Sequence, residues 1–72
     1  MWLLIDIFQP YENTLGTVLS VHRSQEAAER ANRAFQKKVK AANGSASYIP
    51  TMIRLAKNKR GPGQDVREGD IA

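Results

Sequence analysis

The stretch WLLIDIF, residues 2 to 8, constrains the fold more than any other part of the chain. Its β-branched and aromatic content marks a strand, and its apolar side chains stand at odd and even positions alike. Successive side chains of a strand point to opposite faces, so this one needs cover on both sides and belongs in the middle of a sheet. A secretory leader would need a basic start and a small-residue cleavage site, and Asp6 interrupts the run. The chain has 72 residues. That is room for one domain, burying only about 60% of its extended surface. A hydrophobic content of 42% with 25% charged residues places it with globular rather than disordered chains.

The turn-rich QPYEN follows, then TLGTVLSVH, a second strand forming a hairpin with the first. Pairing across a short loop sets Leu3 opposite Leu19, Ile5 opposite Thr17 and Ile7 opposite Leu15. Ser24 is a good N-cap for QEAAERANRAFQKKVKAA, whose apolar stripe holds Ala28, Ala31, Phe35, Val39 and Ala42, and Asn43-Gly44 ends it. YIPTMIRLA reads as a third strand, and Pro50 confines it to an edge. A right-handed strand–helix–strand crossover makes the second and third strands parallel with the first between them. The expected fold class is therefore α+β: a small ββαβ unit at residues 1–56 with a three-stranded mixed or antiparallel sheet of order 2-1-3 and one helix on one face. Residues 57–72 hold only Val66, Ile71 and Ala72 as apolar side chains and are expected to be a flexible, disordered tail. The step HRSQEAAERA is similar to the strand-to-helix unit of some integrase arm-binding domains, a likeness over about 30 residues that implies no site.

Few chemistries fit these residues. Without cysteine there is neither a disulfide nor a thiolate zinc site, and the default compartment is the cytoplasm. One histidine is too few for a usual zinc centre, so no metal and no cofactor is expected. Asp6, Ser20 and His22 are the residue types of a nucleophilic triad, but the hairpin separates Asp6 from His22 by roughly 20 Å. Gly61-Pro62-Gly63 lacks the strand and helix that a phosphate-cradling loop requires. No apolar run approaches the roughly 18 residues that span a bilayer. The chain is not expected to be an enzyme or a membrane protein.

Two surfaces remain. Alternation assigns Leu3, Ile5, Ile7, Leu15, Leu19, Val21, Ile49, Ile53 and Leu55 to the helix side and leaves Trp2, Leu4, Phe8, Val18, Tyr48 and Met52 on a bare sheet face. An apolar patch of that kind marks an interaction site, so the leading expectation is a protein-interaction module, a homodimer or the subunit of a larger assembly, joined through that face or a sheet edge. The alternative is a nucleic-acid-binding domain. The net charge is +4, Arg30, Arg33, Lys37 and Lys40 follow helical spacing, and Lys57, Lys59 and Arg60 would extend their patch.

Overall fold

At the centre of the molecule lies β1 (Trp2–Asp6), where Leu3, Leu4 and Ile5 are all buried although they alternate in direction. The computed structural model describes residues 1–72. It flanks β1 with β2 (Gly16–His22) on one side and β3 (Thr51–Leu55) on the other, both antiparallel to it. Between β2 and β3 runs α1 (Gln25–Asn43). At its start Ser24 Oγ accepts the Ala27 N–H at 3.1 Å, satisfying one of the free donors of the first turn. At its end Gly44 takes φ +112°, and its N–H returns to the Lys40 carbonyl at 2.9 Å. The expected order 2-1-3 is present within a larger sheet.

That sheet has four strands, not three, in the order β3-β1-β2-β4. The expected disordered tail supplies the fourth. Here β4 (Asp65–Val66) pairs with β2, setting Val66 opposite Gly16 and Asp65 opposite Thr17. After a 3-10 turn at Glu68–Asp70, Ile71 bridges to Ala56 and the Ala72 N–H donates to the Leu55 carbonyl at 2.9 Å. The C-terminal segment thus leaves one edge, pairs with the other and returns, and the sheet curls. Its concave face encloses Leu3, Ile5, Val18, Val66 and Ile71, with Ile7, Leu15, Val21, Met52 and Ala56 around them. Composition misleads here because Val66 and Ile71 are few but fall to 0% and 7% exposure, where three strands have already assembled the receiving surface.

On β1 the helix covers the face opposite to the one expected, whereas on β3 Ile53 and Leu55, paired with Leu4 and Trp2, lie on the helix side and Met52 lies away from it, as expected. Leu4 points towards α1, where Ala28 and Val39 are buried, and on the same side Thr51 Oγ1 donates to Asn32 Oδ1 at 2.8 Å. The hairpin register also differs. Leu3 pairs with Val21 and Leu4 with Ser20, but Ile5 pairs with Val18, so a bulge absorbs Leu19. One extra residue exchanges the faces of everything beyond it, which turns Val18 inward beside Ile5.

Two close fits hold the layers. The buried Gln36 amide meets the Ile49 backbone as a neighbouring strand would, donating to its carbonyl at 2.7 Å and accepting its N–H at 3.1 Å. This fixes the chain just before Pro50, whose carbonyl accepts the Ile7 N–H at 3.0 Å. On β2, Gly16 lies against β1 so closely that an added Cβ would fall on the Asp6 carbonyl oxygen and within 2.9 Å of Ile5 Cγ2.

Candidate functional site

The apolar residues expected to share one open face do not share one. Leu4 and Val18 are each 1% exposed, on opposite sides of the sheet, the first beneath α1 and the second in the concave core. Met52 packs on the concave cluster. Trp2 is half-buried and pairs with His22 and Leu55. Phe8 and Tyr48 are 58% and 61% exposed, but they sit on separate segments, the β1–β2 connection and the approach to β3. The helix covers one side of the sheet and residues 57–72 close over the other.

The helical cations keep their expected placement. Arg30, Arg33, Lys37 and Lys40 are all exposed on the outward side of α1, and none is in an ion pair. Arg33, Lys37 and Lys40 line a groove of about 600 Å³ together with Asn32, Gln36 and Tyr48. Tyr48 therefore belongs with the charges rather than with Trp2 and Met52. Strand alternation could not reveal this, because residues 48 to 50 precede β3 and the Gln36 amide sets their path.

Lys57, Lys59 and Arg60 do not extend that patch. They line a different cavity of about 480 Å³ with Met1, Leu3, Val21 and Ala56. Arg60 is also neutralised: its guanidinium lies 2.7 Å from Asp70 Oδ1 in the only ion pair of the molecule. Asp70 is a buried node that sequence reading missed. It accepts from the Arg67 backbone N–H at 2.9 Å and from Asn58 Nδ2 at 3.1 Å as well as from Arg60. Its signal was the spacing to Arg67, the third-position acid that closes on the N–H of a helix cap.

The Arg67 N–H, the Asn58 amide and the Arg60 guanidinium hold the Asp70 carboxyl below its ordinary value of 3.8, against the opposing effect of burial. A carboxyl depressed by folding stabilises the native state above its unfolded value, and that contribution fades as pH falls through the folded value. Asp70→Asn should accordingly melt below wild type at neutral pH, and the gap should narrow as pH drops below 3.8. Paired thermal melts followed by circular dichroism measure this, and a gap independent of pH would assign the loss to packing alone.

Ser20 Oγ and His22 Nε2 share a hydrogen bond of 2.6 Å, a contact that alternation along β2 permits. Asp6 pairs with Thr17 at the far end of the hairpin from His22, and neither Ser20 nor His22 lines a cavity. No group of three or more His, Cys, Asp or Glu side chains is placed to hold a metal ion. No helix is long and apolar enough to cross a membrane. No family model, curated protein or solved structure matches the chain.

Proposed function

We propose that the protein binds single-stranded nucleic acid along the outward face of α1, with Arg30, Arg33, Lys37 and Lys40 meeting phosphates and Tyr48 stacking a base. The observation that carries this reading is the groove in which three unpaired cations stand beside an exposed aromatic ring. Lysine and arginine on a helix face also serve simply as solvated polar cover, and it is the ring that separates the two cases. Base–aromatic stacking contributes about 1–3 kcal/mol per base and tolerates any sequence. A duplex keeps its bases stacked inside and offers no such partner to Tyr48, which favours a single strand.

Fluorescence anisotropy with labelled single-stranded and duplex oligonucleotides over a salt series tests the proposal. Four phosphate contacts give a slope of log K against log salt of about −3 for a single strand. Lys37→Glu with Lys40→Glu should remove detectable binding, and Tyr48→Ala should weaken it about 5- to 150-fold with the slope unchanged. Absence of binding at low salt, or indifference to both variants, would overturn it.

A second reading is self-association through the outer edge of β3. Beyond its pairing with β1, this strand has no neighbour until Ala56 meets Ile71, so the peptide groups at Thr51 and Ile53 are free to pair with another strand. Sedimentation of the unliganded protein at micromolar concentration separates the readings, since a strict monomer removes the second.

A further inference from the structure

The cavity at the end of the curled sheet has no role in nucleic-acid binding as described above. Its aliphatic lining comes from Met1, Val21 and Ala56, with the fully buried Leu3 behind them, and a rim of polar character comes from Lys57, Asn58, Lys59, Arg60 and Gly61. At about 480 Å³ it lies in the range of small-molecule sites. Three features together suit it to one class of ligand. The rim carries two cations, Lys57 and Lys59, that no carboxylate neutralises. It is also held in place: the Lys57 and Asn58 N–H groups both donate to the Asp70 carbonyl, at 2.8 and 3.2 Å, while Arg60 is tied to the Asp70 carboxylate. The rim backbone is thereby set in advance, and only the lysine side chains are ordered when a ligand arrives. Finally, no aromatic side chain lines the cavity, so it offers nothing on which a nucleobase could stack.

We propose that this cavity binds a free aliphatic carboxylate, its chain laid over Val21 and Ala56 and its charge set between Lys57 and Lys59. Octanoate is the probe, with octan-1-ol supplying the same chain without the charge and acetate the charge without the chain. In NMR titrations of the full chain, octanoate should shift the Val21 and Ala56 methyls and the amides of residues 57 to 61 saturably, with dissociation in the millimolar range or tighter. Octanol and acetate should each bind about tenfold more weakly or worse. Lys57 and Lys59 are exposed and make no ion pair, so Lys57→Gln with Lys59→Gln leaves the fold intact. That variant should weaken octanoate about tenfold while octanol is unchanged. Equal binding of octanol and octanoate, shifts scattered over Phe8 and Tyr11, no saturable shift, or a variant with wild-type affinity would each overturn the assignment. Nucleic-acid binding at α1 is a separate measurement on a separate cavity, and neither result decides the other.

Discussion

A chain ending at Ala56 is expected to lose cooperative unfolding altogether. It would still contain β1, β2, α1 and β3, the whole unit that local sequence patterns describe. It would lack Val66 and Ile71, whose burial contributes about 1.5–3 kcal/mol each. Total stability for a domain of this size is on the order of 4–11 kcal/mol, at 0.05–0.15 kcal/mol per residue, so that loss alone is comparable to the whole. The concave side chains of Leu3, Ile5 and Val18 would then face water as well, and β2 would lose its outer neighbour. Far-ultraviolet circular dichroism should show partial helix and a broad melt, and amide exchange should show little protection in β1. If residues 1–56 instead melt sharply near the wild-type temperature, the C-terminal segment is an accessory and the concave core closes without it.

Gly16→Ala should have the second-largest effect. The obstruction is the Asp6 carbonyl rather than the tip of a flexible side chain, so β1 and β2 must part to admit even one methyl group. Overpacking of this kind costs about 1–3 kcal/mol, more where backbone has to move. For a small domain that lowers Tm by roughly 5–20 °C. Gly69→Ala is the control, because nothing lies within 4 Å of its added Cβ, and it should melt close to wild type. Comparable losses at the two positions would point to a general intolerance of side chains rather than to the contact between β1 and β2.

Both results turn on features that local reading of the chain does not reach. The strand character of WLLIDIF, the Ser24 and Gly44 caps and the order 2-1-3 are all legible, because each follows from a few adjacent residues or from the handedness of a crossover. Face assignments hold within β3, where Ile53 and Leu55 lie towards the helix and Met52 away from it, but not across the hairpin. Alternation gives the relative direction of neighbours along one strand, and a single bulge at Leu19 reverses it without any compositional mark. The C-terminal segment is illegible for another reason. Counting apolar residues asks whether a segment builds a core of its own, whereas Val66 and Ile71 complete one that distant strands have begun. At the candidate site the helical cations were readable from their spacing. Tyr48 was not, because its position follows from the buried Gln36 amide thirteen residues before Ile49.

The stitching of Ala56 to Met1 and of Leu55 to Ala72 places the first and last residues on either side of one strand, about two strand spacings or ~10 Å apart. A linker of roughly three or four residues spans that gap, and the exposed QPYE at positions 9 to 12 offers a place to reopen the chain. In such a circular permutant the central strand would no longer be the first one made but would follow the segment that closes over it, while every hydrogen-bonded pair in the sheet kept its partner.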